Sequence, residues 1–449
     1  MGTLTGDTSR EVSPVSVPVY NSGFGAQQPS RYEENLYNPP MTTLIITLYL
    51  ALLTFRLALH SINNRHLKTH GHEIPTGFEA VVDPATLAKS SDYTLAKGQL
   101  SLIRELFDSA MTLLFIFGGL LAWYDGCLSR YALGFISAGL VFFLLLSLVQ
   151  ALLGVPFDLY SHFKLENRFG FNKMTFRVWC TDQLKSLLLS VLFMGLLATA
   201  SLWLIQAAPD TWWLWVWGLL VGFGLLLMVI SPYVIEPLFF KFEPLRVEGL
   251  EDDIRAMMAK TGLSVSKVLQ VDASKRSGHS NAYFTGLGKQ KRVVLFDTLL
   301  EQLSKEEILA VLAHELGHMK RKHIVKRMSL MAIVALFYCW LVHTLIGWPG
   351  LPQLVGLTDA SFYGRAVILF FLFGILAFPL TPLFSLLSRR DEYQADRFAC
   401  DLHGNPEDLA TALVQMSKEN LANLHPHPFY ARVYYSHPPV VERVNKLRE

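Results

Sequence analysis

Charge is what this 449-residue chain has least of: Asp, Glu, Lys and Arg make up 17% of it, while 51% is hydrophobic. A soluble globular protein carries about a quarter charged residues, and the deficit here lies in long apolar runs. That pattern excludes an ordinary soluble domain and marks a chain that crosses a bilayer several times. Cysteine is equally sparse. Cys127, Cys180, Cys339 and Cys400 are scattered with no Cys-x-x-Cys pair, which removes both a disulfide framework and a thiolate zinc site. Any metal must therefore be held by His and carboxylate. A net charge of +2 gives no electrostatic footing for nucleic acid. Residues 1–40 also lack a basic region leading into a short apolar core, so this stretch, rich in Ser, Pro, Gly and Glu, reads as a flexible polar tail rather than a signal peptide. Within it, Glu34-Asn35-Leu36-Tyr37 partly resembles a protease-tag site, so part of the tail reads as foreign to the native protein.

A bilayer core of roughly 30 Å needs about 20 apolar residues in helical form. Seven runs qualify as spans: 41–60, 109–124, 132–157, 184–208, 212–240, 328–348 and 362–387. Pro232 and Pro237 predict a kink or early stop at the end of the fifth. Trp212, Trp213, Trp215 and Trp217 cluster at its start as an interfacial aromatic belt would. Nearly all Lys and Arg fall in segments 61–108, 158–183, 241–327 and 388–449, and almost none in the alternate loops. The positive-inside rule then predicts an external amino terminus and a cytosolic carboxyl terminus. The organisation expected is a tail (1–40), spans one to five (41–240), a cytosolic segment (241–327), spans six and seven (328–387) and a cytosolic carboxyl-terminal segment (388–449).

The third basic segment holds His314-Glu315-Leu316-Gly317-His318, inside a helical run from Lys305 to His323. Two histidines four apart share a helix face and can reach one ion, and the glutamate after the first can hold and deprotonate a water on it. Gly317 is expected to leave room beside the metal. Lys305, Glu306 and Glu307 precede the motif, and Lys320, Arg321, Lys322 and His323 follow it. Ionisable groups at that density are too costly for a bilayer centre, which disfavours an intramembrane protease. The helix is expected at the membrane surface, continuing into the sixth span.

Catalytic zinc usually takes three protein ligands and keeps one position open. The best candidate for the third is Glu392, after the seventh span and on the same side as His318. Glu392 and Asp396 are four apart, so Glu392 can bind the metal while Asp396 accepts the outer N–H of a ligand histidine.

These residues carry a resemblance. His314-Glu315-Leu316-Gly317-His318, followed after two spans by Ser388-Arg389 and Glu392-Tyr393-Gln394-Ala395-Asp396, resembles the integral-membrane CAAX prenyl endopeptidases, a zinc metalloprotease family. Ser274 to Gly286, Val294 to Thr298, and Tyr435-Ser436-His437-Pro438-Pro439 with Arg443 agree with further segments of that family. The resemblance runs from about Met41 to the end. It implies a mainly α, polytopic membrane protein, with about seven helices around a chamber and a gluzincin-type protease domain, helices plus a small β element, on the cytosolic side. It implies one Zn2+ on His314, His318 and Glu392, and Glu315 as general base and acid. His437 and Arg443 would contact the substrate or the tetrahedral oxyanion. Asn281 and Ala282, in the short strand that Asn281-Ala282-Tyr283-Phe284 reads as, would pair with extended substrate. The remaining histidines near the motifs and in the carboxyl-terminal segment (His279, His323, His403, His425, His427) read as surface or structural.

The implied reaction is hydrolysis by metal-activated water, removing the last three residues of a prenylated CAAX protein. A related reading is a membrane quality-control protease acting on unprenylated peptides, the expected case in a prokaryote without prenylated partners. A third is a non-enzymatic membrane scaffold. The membrane expected is the endoplasmic reticulum or inner nuclear membrane in a eukaryote, and the inner membrane in a bacterium.

Overall fold

A computed structural model describes residues 39–286 and 290–449, so the tail reading lies almost wholly outside the described residues. Six helices among them are long and apolar enough to cross a membrane: Pro40–His70, Phe135–Phe169, Phe176–Ala207, Trp212–Phe239, His323–Leu345 and Phe362–His403. Their apolar side chains largely face outward, with Leu188 61% and Phe370 70% exposed. Exposure of that kind suits lipid, not water. The mainly helical, polytopic fold expected from the apolar runs is borne out.

The second expected span is the exception. Residues 109–124 straddle a break between helices Pro84–Phe117 and Leu120–Ser129, which meet at 56°. Gly118 returns its N–H to the carbonyls of Leu113 and Leu114, ending the first helix. Gly119 then takes φ +84°, a conformation that costs glycine little and would strain other residues. Counted as one bent element, the pair makes a seventh span. At the end of the fifth span the helix widens into a π turn at Ser231–Ile235, where Pro232 supplies no N–H to the regular ladder.

Between the membrane-length helices Trp212–Phe239 and His323–Leu345 lies a four-stranded sheet in the order β1-β2-β4-β3. β2 (Ser264–Val271) and β4 (Gln290–Phe296) run parallel at its centre. β1 (Phe242–Pro244) and β3 (Ala282–Thr285) are antiparallel edges. Val293 and Leu295 of β4 pack with Leu250 and Ile254, with Leu312 and Leu316 of the motif helix, and with Ala412 in one core.

The motif helix, Lys305–Lys320, starts at a capping box in which Ser304 and Glu307 satisfy each other's free backbone N–H groups. It is not among the membrane-length helices. It also does not continue into the sixth span. Lys322 adopts φ +56°, and a separate helix starts at His323. This offset brings His323 back beside His318. In the opposite sense, the seventh span does not stop near 387. After a 3-10 turn at Phe378–Leu380, the chain resumes as Thr381–His403, which carries Glu392 and Asp396.

Gly317 has a different task from the one expected. A Cβ there would lie 2.9 Å from Cα and 3.0 Å from O of Ala395, so glycine lets the motif helix touch the backbone of the acidic helix. Gly317→Ala should lower stability by about 1–3 kcal/mol, because overpacking against backbone outweighs the alanine helix preference. Thermal unfolding in detergent measures it; an unchanged midpoint would refute the close-approach reading.

Candidate active site

The motif helix and the acidic helix cross where each presents its ionisable face. His314, Glu392 and Asp396 are 7%, 3% and 5% exposed, so their charges are removed from water. His314 Nδ1 lies 2.8 Å from Asp396 Oδ1, the contact of an N–H donated to a carboxylate. His314 Nε2 is thereby left bare, 3.4 Å from Glu392 Oε2.

His318 is oriented from behind by a residue that the sequence reading set aside. His323, 2% exposed, places Nδ1 3.1 Å from His318 Nδ1. His323 Nε2 faces acceptors, Gln394 Oε1 at 3.3 Å and Asp391 Oδ1 at 3.5 Å, and therefore carries the proton. Its Nδ1 is then an acceptor for the N–H of His318 Nδ1. His318 Nε2 is left bare in turn, 3.3 Å from Glu392 Oε1 and 3.1 Å from His314 Nε2.

Three acceptors thus converge with no proton to share. One ligand atom from each of His314, His318 and Glu392 lies within 4.8 Å of the others. Glu392 Oε2 is buried without a hydrogen-bond partner. Lone pairs gathered in this way repel one another unless a cation sits among them, and two imidazoles with a carboxylate suit a divalent ion such as zinc. Glu315 has no hydrogen bond or ion pair among the described residues, and burial pushes its carboxyl above the usual range.

His437 comes from the carboxyl-terminal segment. Its side chain is 64% exposed, yet Nε2 reaches within 3.3 Å of Glu392 Oε1, and Nδ1 is 3.0 Å from Ser436 Oγ. Arg443 comes from the same carboxyl-terminal segment. It is buried with its fork on Asp396, Nε to Oδ2 at 3.0 Å and Nη2 to Oδ1 at 2.6 Å, while Nη1 stands 3.6 Å from Glu392 Oε2. Its fork is therefore held by Asp396, behind His314, and its remaining nitrogen is turned toward Glu392.

Ala282 opens β3 and Asn281 immediately precedes it; the strand lies against the motif helix. β3 pairs with β4 alone among the described residues, so its outer edge is free. The Tyr283 hydroxyl donates to Glu236 at 2.6 Å, tying the strand to the end of the fifth span. His279, just before the strand, stacks on Phe171 and lies 3.0 Å from Asn420 Oδ1, a connecting role. His403 and His427 make local contacts with Asp408 and the Phe429 N–H, and His425 reaches the distant Glu73 carbonyl.

Residues 63–241 match the family described as CAAX prenyl protease N-terminal, five membrane helices, and residues 244–449 match Peptidase family M48. CAAX prenyl protease 1 of Saccharomyces cerevisiae is 34% identical over 405 residues, 84% of this chain and 88% of that protein. The CAAX prenyl protease 1 homolog of Homo sapiens is 34% identical over 435 residues, covering 86% and 90%. The crystal structure of S. mikatae Ste24p superposes with a TM-score of 0.84 at 31% identity, over 92% of this chain and 100% of that one.

The Arg443–Asp396 pair makes a prediction of its own. Arg443→Met strands a buried carboxylate, and stability should fall by about 3–5 kcal/mol. Arg443→Lys should fall less, keeping the charge and losing the fork. Denaturation of the two variants side by side tests this, and a methionine variant as stable as the parent would contradict it.

Proposed function

Because the chain belongs to peptidase family M48, in its CAAX prenyl protease branch, and is a multi-pass membrane metalloprotease, we propose that it removes the carboxyl-terminal tripeptide of prenylated CAAX proteins. His314, His318 and Glu392 would hold one zinc ion, with Glu315 as the base. The observation that carries this reading is the convergence of three proton-free acceptors, among them the carboxylate of Glu392 with its unpartnered Oε2. The scaffold reading falls with the family assignment.

Zinc, when bound, polarises a scissile carbonyl and brings the pKa of a coordinated water toward about 7. Glu315 takes the proton from the attacking water and returns it to the leaving amine, and its raised pKa suits a group that must do both near neutrality. Water is the nucleophile, so no acyl-enzyme is formed. Asp396 and His323 fix the proton positions of His314 and His318. Arg443 keeps Asp396 ionised, acting through it. His437 offers a donor on the exposed side of Glu392 for charge developing on the carbonyl oxygen. Extended substrate adds along the free edge of β3 at Asn281 and Ala282. The basic segments support a site on the cytosolic face.

Glu315→Gln should abolish tripeptide release from a farnesylated CAAX peptide, by at least about 10²–10⁴-fold, while zinc content is unchanged. Cleavage of the unprenylated peptide at the same rate would replace the prenyl-protein reading with the quality-control one. Chelation should remove activity and zinc should restore it. His323→Ala, which touches no ligand atom turned toward the ion, should weaken zinc binding about 10–100-fold. Zinc competition with a metallochromic indicator reads this directly, and parental affinity would remove His323 from the support of His318.

A further inference from the structure

A cavity of about 1070 Å³ opens beside the acidic helix, lined by a face turned away from Glu392. On this helix Leu386, Arg390, Tyr393 and Arg397 follow one another at spacings of three and four, which aligns them in a single stripe. Helices Pro428–Tyr434 and Val440–Arg448 form the other walls, and Asp396 with Arg443 forms the floor.

The lining is strongly cationic. Arg390 and Arg397 from the acidic helix, Arg432 from the next wall and Arg321 from the end of the motif helix all line it, and none has a side-chain hydrogen bond or ion pair among the described residues. Arg389 gives Nη1 to the carbonyls of Ala431 and Tyr435, not to a carboxylate. Two acidic side chains also line the cavity. Asp396 is already taken by Arg443, and Glu442 accepts from the Tyr393 hydroxyl at 3.4 Å. Like charges drawn from three helices toward one space repel, and an anion placed there relieves them.

The other end of the cavity is apolar. Pro382 and Leu386 line it, and Leu383 and Leu386 are 50% and 56% exposed. Within one helical turn the acidic helix changes from exposed leucine to unpaired arginine, in direct continuation of a membrane-length helix. That change marks the boundary between hydrocarbon and headgroups. Arginines at any span end can snorkel to water singly. Here they converge on a cavity with an apolar mouth, which a soluble anion would leave unused.

We propose that this cavity binds the headgroup of an anionic phospholipid, its phosphate on Arg390, Arg397 and Arg432 and its acyl chains along Leu383 and Leu386. Guanidinium forks match phosphate oxygens in geometry as well as charge. Basic pockets beside membrane helices are suited to such lipids. The inference needs only the membrane fold and is independent of the peptidase chemistry.

The test uses the full chain purified in detergent, with thermal unfolding followed as phosphatidylserine, phosphatidylcholine or soluble glycerol phosphate is added. A ligand that binds only the native state raises the midpoint with concentration. Phosphatidylserine should do so, and the other two should not. R390Q/R397Q/R432Q should lose roughly 100-fold in apparent affinity, and R390K/R397K/R432K, which keeps the charge and loses the forks, should lose less. Should the triple variant fold poorly, R432Q alone should lose roughly fivefold. Equal stabilisation by phosphatidylcholine, or an undiminished response in the glutamine variants, would overturn the proposal. An equal shift with glycerol phosphate would also overturn it, reducing the cavity to a simple anion site.

Discussion

Two carboxylates one helical turn apart, Glu392 and Asp396, are both buried in one crossing of helices, and everything at the site depends on keeping them charged. An ionised carboxylate removed from water costs several kcal/mol unless a counter-charge and hydrogen bonds replace the lost hydration. Asp396 receives a guanidinium fork from Arg443 and the Nδ1 proton of His314. Glu392 keeps Oε2 without a hydrogen-bond partner, facing the bare Nε2 of His314, while its Oε1 faces the bare Nε2 of His318. The first carboxylate is balanced by protein, and the second is left to be balanced by a metal.

That division makes the carboxyl-terminal helix part of the candidate active site. Arg443 can reach Asp396 only when Val440–Arg448 is docked, and docking is a matter of ordinary packing. Val444 is fully buried with Phe78, Val82 and Leu87, from the segment after the first span and the start of the next helix. Arg448 adds contacts to the Gly77 carbonyl and to Glu407. Segments more than 350 residues apart are thus closed over the crossing of the motif and acidic helices. The membrane helices supply the frame. One of them runs on as the acidic helix, and another ends in the π turn whose Pro232 carbonyl accepts from Arg292 beneath the sheet.

Much of this could be read from residue order. The apolar runs marked six of the membrane-length helices, since a bilayer demands a long uncharged stretch that is hard to counterfeit. Periodicity placed His314 with His318, and Glu392 with Asp396, on common faces. The parts that escaped reading depend on contact between segments distant in sequence. A break at Gly118–Gly119 is invisible in a run of continuous hydropathy. The role of Gly317 requires knowing that Ala395 lies against it. His323 looked like one more member of a basic run, because the left-handed turn at Lys322 that returns it to His318 has no glycine to announce it. Arg443 shows the same limit, since only the docked fold reveals that its fork is committed to Asp396.

The central claim is that one zinc ion completes this set of acceptors. X-ray absorption at the zinc edge of the purified full chain, with metal content measured on the same sample, tests it most directly. The account predicts one zinc per chain, with a first coordination sphere of two imidazole nitrogens and oxygen, changed when Glu392 is replaced by Gln. Sulfur in that sphere, or a spectrum indifferent to Glu392, would contradict it.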